Sequence, residues 1–160
     1  MMNTDDFTAQ SGEGAVHVLS EAECWQLLDG TSFGRLAVSV GDQPEICPVN
    51  HFADGRTVLF RTAEGTKLLE LTINSLVAFE TDHYSDTDAW KIVVKGHARV
   101  IESQWEVFAA DQLPLAPWTP TLKCIYVSVE PTEISGRRFE RVRNRNGTDV
   151  GGSRSWAALM

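Results

Sequence analysis

The sequence lacks several features that mark whole classes of protein. No apolar run approaches the roughly 20 residues of a transmembrane helix, so no membrane segment is predicted. Residues 1–16 have no apolar core of the kind found in a secretory signal, which favours a cytoplasmic location. The three cysteines, Cys24, Cys47 and Cys124, are scattered and odd in number, which argues against a disulfide framework and for a reducing compartment.

Basic residues and metal-binding motifs are also scarce. Lysine and arginine together number 14, against 22 aspartate and glutamate residues, and the resulting net charge of −8 argues against a nucleic-acid partner. The four histidines show no metal-ligand spacing, and neither HExxH nor CxxC occurs. No metal site is therefore predicted.

The 160 residues have the length of one ordinary domain. We interpret residues 1–16 as a disordered N-terminal segment, residues 17–139 as the folded domain and residues 140–160 as a basic, irregular tail. The tail is distinguished by its charge, because residues 137–160 contain six arginines and only two acidic residues. Such a tail is either solvated or pairs with an anionic ligand or an acidic face of a dimer.

The first predicted element is a helix that begins after Ser20. Ser20 and Glu23 have the spacing of a capping box, and Cys24 and Leu28 then fall on one apolar face. Gly30 is expected to end the helix.

The pattern then changes to short strands joined by turns of hairpin length, which predicts an antiparallel meander. Pro48 is expected to mark an edge or a bulge, and Gly96 a bend or bulge within a long strand. Six or seven strands with two or three short helices imply a mainly β fold, an antiparallel β-barrel. The predicted strands are 35–40, 45–52, 57–62, 77–81, 90–101, 122–129 and 132–139, with short helices near 65–72 and 103–110.

The most informative segment is FRTAEGTKL, residues 60–68. It places Arg61 and Thr62 at the end of a strand, a turn through Gly65, and Thr66 and Lys67 at the start of a helix. A helix N-terminus presents unpaired N–H groups and a partial positive charge, which suit a phosphate. The arginine would add a forked pair of donors, the lysine a point charge and the threonines hydroxyl groups. The same charges are also common on ordinary protein surfaces, so the order of the neighbouring motifs matters.

That order resembles a known family. PVNHF, LFRTAEGTKLLEL, VAFETD and KGHARVIE follow one another along the chain as in the pyridoxamine 5'-phosphate oxidase-like family of flavin-binding split barrels. The opening LSEAECWQLLDGTSFGRLAVSV looks like the start of the branch that includes the nitroimidazole-resistance proteins. The resemblance covers about residues 17–139. It implies an antiparallel split β-barrel, a homodimer with two flavin sites at the subunit interface, and FMN as the usual cofactor.

The resemblance also implies which residues hold the flavin. It assigns Lys67 and Thr66 to the phosphate, Arg61 and Thr62 to the space beside phosphate and ring, Val49 and Asn50 to the isoalloxazine, and Trp90 to a contact from the long strand. No catalytic residue is predicted.

Two departures from the family pattern bear on activity. Genuine pyridoxamine phosphate oxidases usually have an arginine beside the lysine, where this chain has Thr66, and their substrate-phosphate signature is not found near the C-terminus. These departures argue against oxidation of pyridoxamine phosphate but not against flavin binding. His51 follows Asn50 along a strand and points to the opposite face, where it lies either near the flavin or exposed to solvent.

Three functions stay open at this point. The protein is a flavin-dependent oxidoreductase that passes hydride between the flavin and an unidentified small-molecule substrate. Alternatively, it is a module that binds FMN, a deazaflavin or haem without turnover. In the third interpretation it is an interaction protein whose cofactor site has decayed.

Overall fold

The computed structural model of the protein describes residues 16–63, 65, 70–71, 73–115 and 124–140. Within these residues the chain forms seven strands and two complete helices, and no helix among them is long and apolar enough to cross a bilayer. The strands are β1 (Val16–Leu19), β2 (Phe33–Val40), β3 (Gln43–Ala53), β4 (Val58–Ala63), β5 (Leu76–Tyr84), β6 (Asp88–Val100) and β7 (Cys124–Glu140). The helices are α1 (Glu21–Asp29) and α2 (Gln104–Asp111).

The strands form one antiparallel sheet that closes on itself. The sheet order is β1-β7-β4-β3-β2-β5-β6, and β6 also pairs with β7 along most of its length. A sheet whose last strand pairs with a strand near its beginning is a barrel. The prediction of a mainly β, antiparallel barrel of six or seven strands is therefore confirmed.

The interior of the barrel follows from the alternation of side chains along each strand. In β2, Leu36 and Val38 are buried, whereas Arg35 points out to solvent. Burying each large apolar side chain contributes about 1.5–3 kcal/mol, so this interior is the main source of stability. The other strands add Val49, Ala53, Val58, Phe60, Val77, Phe79, Trp90, Ile92, Val94, Val127 and Val129 to the same core.

Helix α1 packs against this core and confirms the predicted helix. The Ser20 Oγ accepts a hydrogen bond from the Glu23 N–H at 3.3 Å, and Glu23 Oε2 accepts one from the Ser20 N–H at 2.7 Å. This reciprocal pair is the predicted capping box. Cys24 and Leu28 are fully buried in the core, and Gly30 is the C-cap.

Helix α2 covers part of the outer surface of the barrel. Its Ala110 packs with Leu59 of β4, Tyr126 of β7 and Leu115 in a second apolar cluster that is separate from the interior. We call these four residues the outer cluster. The barrel therefore also has a buried apolar patch on its outer face, beneath α2.

The irregularities predicted at Gly96 and Pro48 are both present. The pairing of β6 with β7 shifts register between Lys95 and Gly96, and a Cβ at Gly96 would collide with the carbonyl oxygen of Glu130. Pro48 lies in the part of β3 that pairs, among the described residues, with β2 alone. It therefore marks an edge, where a missing N–H is tolerated.

The ends of the sheet differ from the predictions. Strand β1 is not predicted; it pairs with residues 136–139 of β7. The two strands predicted at 122–129 and 132–139 form one strand, because an extra residue, Thr132, is taken up opposite Gly96 and the strand continues past Pro131. Residues 1–15 and 141–160 lie outside the described residues, so the N-terminal segment and the basic tail stay predictions.

Candidate functional site

The barrel wall opens where β3 and β4 separate. The last residue pair between them is His51 with Phe60. Beyond this pair, residues 43–50 of β3 pair only with β2 and residues 61–63 of β4 only with β7, within the part of the chain that the structure describes. Two strands that are joined at one end and separate at the other leave an opening lined by their backbones. We call this opening the β3–β4 split.

Four of the seven predicted cofactor residues flank the β3–β4 split. Val49 and Asn50 on β3, and Arg61 and Thr62 on β4, all lie within two positions of the last pair. Asn50 and Arg61 are half-buried on the outer face, and strand alternation turns Thr62 to the other face. The Val49 side chain is only 3% exposed and belongs to the core. Its backbone N–H points to β2, as does that of His51 two positions further on, which donates to the Ser32 carbonyl, so the role of Val49 at the flavin stays a prediction.

The segment after β4 carries the other predicted phosphate ligands. Thr66 and Lys67 lie outside the described residues, and their role stays a prediction. Gly65 just before them is exposed, and Leu71 further along is buried in the core. Gly65 therefore lies at the surface, and Leu71 belongs to the core.

Trp90 does not lie at the β3–β4 split. It is buried against the core and stacks on His83, with ring centres 5.8 Å apart. Trp90 pairs with Arg138 of β7, whereas Arg61 pairs with Tyr126 of the same strand. The two predicted residues thus lie near opposite ends of β7.

Arg61 has a buried donor without a partner. Its guanidinium carbon lies 5.5 Å from the centre of the Tyr126 ring, within the range of a cation–π contact. Its Nε is buried and has no hydrogen-bond partner in the described structure. Leaving such a donor unsatisfied costs about 1–3 kcal/mol. An anion beside Arg61 would satisfy it, because guanidinium donors match phosphate and carboxylate oxygens.

Arg35 lies on strand β2, on the other side of β3 from Arg61, and its guanidinium is already paired with carboxylates. Its Nη1 lies 2.9 Å from Glu80 Oε2 and 2.9 Å from Asp82 Oδ1. Burial raises the pKa of Glu80, and the hydrogen bond from Arg35 opposes that effect. Two carboxylates thus use the positive charge of Arg35, which leaves it little to offer an anion.

Tyr126 and Asp111 complete the surroundings of Arg61, and the sequence analysis missed both. The Tyr126 hydroxyl donates to Asp111 Oδ1 at 2.5 Å, and Asp111 is the last residue of α2. Tyr126 is visible in the sequence only as one apolar position of a strand. Nothing marks Asp111, because the bond joins residues of two different elements whose packing the sequence pattern does not specify.

His51 lies directly behind the β3–β4 split and is buried, so the exposed location expected as one alternative is wrong, whereas a location near the flavin stays a prediction. Its ring meets Phe79 edge-on with centres 4.7 Å apart. Thr31 Oγ1 donates to the Leu28 carbonyl at 3.0 Å and lies 3.2 Å from His51 Nε2, which assigns the ring proton to Nε2. Burial lowers the pKa of His51, and a hydrogen bond to the Leu28 backbone opposes this. His51 is therefore a neutral core residue.

Two solved structures are similar to this chain in both fold and sequence. A Corynebacterium glutamicum protein, described as a candidate pyridoxamine 5'-phosphate oxidase, is 39% identical, with 84% of this chain and 100% of that chain covered and a TM-score of 0.76. The FAD-binding protein of Mycobacterium smegmatis is 40% identical, with coverages of 79% and 100% and a TM-score of 0.68.

Two further relatives extend the comparison. An uncharacterised protein of Mycobacterium tuberculosis is 47% identical over 85 residues, which are 53% of this chain and 77% of that protein. A Bacteroides thetaiotaomicron structure, described as a candidate 5-nitroimidazole resistance protein, is 14% identical, with coverages of 78% and 88% and a TM-score of 0.66. At that identity the likeness shows the fold alone.

A sequence profile described as pyridoxamine 5'-phosphate oxidase matches residues 20–138. The match runs from the N-cap of α1 into the last part of β7, so it takes in the split and nearly the whole barrel. It confirms the resemblance drawn from the order of the motifs. The chain belongs to the pyridoxamine 5'-phosphate oxidase family.

Proposed function

We propose that this protein binds a flavin phosphate at the β3–β4 split and acts as a flavin-dependent oxidoreductase on a small-molecule substrate. The observation that carries the proposal is the buried, unpartnered Nε of Arg61 at the split. Family membership and the 40% identity to a FAD-binding protein support a flavin as the bearer of the anion.

The residues at the split fit a flavin phosphate. Arg61 offers a charged, forked set of donors, whereas Thr62, the next residue of β4, turns to the other face of the strand and would meet the cofactor only from there. Thr66 and Lys67 follow within a few residues in the sequence and would add a second charge and a second hydroxyl. A phosphate dianion is bound best by several such donors together.

The flavin ring would lie along β3. Residues 43–50 have one strand neighbour within the described structure, so a ring can lie along the side of this strand that faces away from β2, next to Val49 and Asn50. The Asn50 side chain adds an amide group on the outer face. Trp90 stands at the other end of β7, and we assign it no role at the split of its own subunit.

We propose FMN as the cofactor and FAD as the second candidate. Both carry the phosphate that Arg61 would bind, and the name of the Mycobacterium smegmatis relative favours FAD. A deazaflavin is the third candidate and haem the fourth. Mass spectrometry of the cofactor released from purified protein by heat distinguishes all four.

A bound flavin supplies hydride transfer at its ring. The part of this chain is to bind and orient the cofactor and to leave room for a substrate. Val49, Asn50, Arg61 and Thr62 include no side chain that ordinarily titrates near neutral pH, so these four residues contribute positioning rather than proton transfer.

We also propose that the protein is a homodimer with the split at its interface. Ile46, which is 70% exposed, and Phe33 place apolar side chains on the outer face beside Asn50. Exposed apolar groups next to a candidate site are typical of an interface. Size-exclusion chromatography with light scattering should give twice the chain mass, and a monomer would contradict the proposal. Cys24 and Cys47 are free thiols, which fits the cytoplasmic location that we propose.

Flavin binding is tested by titrating cofactor-free protein with FMN and FAD and following flavin fluorescence. Arg61→Ala, alone or with Lys67→Ala, should weaken FMN binding about tenfold or more, because a charged contact is lost. Arg56→Ala is the matched control, since Arg56 is an exposed arginine in the β3–β4 turn, at the other end of β4 from the split. It should bind FMN as the wild type does.

The possible outcomes test the proposed site and the proposed function separately. Unchanged FMN binding in Arg61→Ala would refute the proposed site, whereas a wild-type protein that binds no flavin would refute the function. Turnover is tested by anaerobic mixing of the flavin-loaded protein with NADH or NADPH. Bleaching of the flavin absorption supports an oxidoreductase, and no bleaching with either donor favours a binding module.

A further inference from the structure

We propose that Tyr126 and Asp111 form a positioning pair that holds the Arg61 guanidinium ready for an anion at the β3–β4 split. The proposal rests on the proposed flavin-phosphate site and adds to it two residues that act through Arg61. Neither residue has to touch the ligand.

The Tyr126 side chain is fixed at both ends. Its backbone lies directly opposite Arg61 in the pairing of β4 with β7, and its ring, 4% exposed, packs with Leu59 and Ala110 of the outer cluster. At the far end, its hydroxyl donates to Asp111 Oδ1 at 2.5 Å, the length of a short, charge-assisted hydrogen bond. The guanidinium carbon of Arg61 rests over this fixed ring.

The phenol also keeps two opposite charges apart. The Asp111 carboxylate accepts a hydrogen bond from the Tyr126 hydroxyl, whereas Arg61 lies over the face of the ring. The carboxylate is therefore hydrogen-bonded to Tyr126 and not to the guanidinium. Other arginines of the barrel bond carboxylates directly, at 2.9 Å in each case: Arg35, Arg99 and Arg138. Tyr126 therefore holds the Arg61 guanidinium in place without occupying its N–H donors, as the unpartnered Nε of Arg61 shows.

If the Arg61 side chain is fixed before the ligand binds, the affinity of the site for a phosphate should be higher. An arginine side chain loses much conformational freedom when it is fixed, and a group that is fixed before the ligand arrives loses less on binding. Without the Tyr126 hydroxyl, the ring loses its anchor to α2 and Arg61 loses a rigid support. The loss should affect flavins that carry a phosphate and spare riboflavin, which has none.

The test compares the affinities of FMN, FAD and riboflavin in two conservative variants. Tyr126→Phe keeps the ring under Arg61 and removes the hydroxyl, and Asp111→Asn keeps an acceptor and removes the charge. Tyr126→Phe should weaken FMN binding about three- to tenfold and leave riboflavin within about twofold of the wild type. FAD should follow FMN, and Asp111→Asn should act in the same direction with a smaller effect.

Two controls separate positioning from a general loosening of α2. Val107→Ala removes packing from the outer cluster but leaves the Tyr126–Asp111 bond intact, and it should not change the ratio of FMN to riboflavin affinity. In an Arg61→Ala background, Tyr126→Phe should cause no further loss of FMN affinity, because Tyr126 acts through Arg61.

The inference is overturned if Tyr126→Phe leaves the affinity ratio unchanged, if it weakens FMN and riboflavin equally, or if its effect persists in the Arg61→Ala background. If Tyr126→Phe does not fold, Asp111→Asn at the exposed end of α2 answers the same question. Loss of selectivity in Arg61→Ala but in neither conservative variant refutes the positioning pair and leaves the proposed function standing. A wild-type protein that binds no flavin refutes both.

Discussion

Helices α1 and α2 differ in how firmly they are attached to the barrel. Helix α1 begins with a complete capping box at Ser20 and buries Cys24 and Leu28 fully in the interior. Helix α2 begins at Ser103 without a side-chain cap, and only Ala110 of its residues is buried. Helix α1 is stabilised by its capping box and by packing in the core, whereas α2 is stabilised mainly by packing in the outer cluster.

This difference indicates that the two helices have different roles. Helix α1 closes the core, so its residues should set the free energy of unfolding. Helix α2 supplies Asp111 to Tyr126, which lies beside Arg61, so its residues should affect ligand affinity more than stability. Elements next to binding sites are commonly drawn from the less stable parts of a fold.

The largest expected contrast is in packing. Leu28→Ala should lower the free energy of unfolding by about 2–5 kcal/mol, because it leaves a cavity in a fully buried site. Phe108→Ala in α2 should change it by no more than about 0.5 kcal/mol, because Phe108 is exposed and, among the described residues, stacks on Trp105, which is itself 76% exposed. Urea denaturation of both variants measures the contrast, and similar losses would show that the helices are equally attached.

The next contrast is in how the free energy of unfolding depends on pH. It concerns α1, because His51 contacts the end of that helix. Burial lowers the pKa of His51 in the folded protein, so the unfolded chain takes up the proton first as the pH falls below about 6.5. Stability is therefore complete above that pH and is lost below it, by at most about 1.4 kcal/mol per pH unit.

Urea midpoints between pH 7.5 and pH 5 measure this effect. His51→Asn should be less stable at neutral pH but flatter in its pH dependence. His97→Asn, at an exposed position of β6, should retain the wild-type pH dependence. If His51→Asn kept the wild-type slope, another group would be responsible for it.

The smallest contrast concerns the caps themselves. Ser20→Ala should cost about 1 kcal/mol, because its hydroxyl satisfies the Glu23 N–H. Ser103→Ala should cost nothing measurable, because Ser103 makes no capping hydrogen bond. Thermal denaturation of the pair is sufficient, and equal shifts would remove the distinction between the two helix starts.

Features that depend on near neighbours in the chain could be predicted from the sequence. The capping box at Ser20 needs only residues three apart, and Gly96 is recognisable because a glycine within a strand indicates a bulge. The order of short motifs indicated the family and the barrel. It also singled out Asn50 and Arg61, which the structure places on either side of one opening.

Features that depend on how the barrel closes could not be predicted. Strand β1 has only four residues, and its apolar residues Val16 and Val18 are exposed, so its sequence does not mark a buried face; it exists because β7 is long enough to pair with it. Pro131 has no N–H for the sheet, so the sequence predicts that a strand ends there, but the bulge at Thr132 allows β7 to continue. The Tyr126–Asp111 bond joins a helix end to a strand, and the burial of His51 depends on α1 lying over it.

One consequence concerns the stretch of β3 that has a single strand neighbour. Its register with β2 is unbroken from Asn50 to Gln43, although Pro44 and Pro48 have no N–H to give. The N–H of His51 points to β2, where it donates to the Ser32 carbonyl, and both prolines lie an odd number of positions from His51, so both missing donors fall on the side away from β2. A strand from another molecule would find a broken row of donors there, and fibril-like growth is discouraged. Ile46 can thus stay exposed on this strand without promoting aggregation by strand addition.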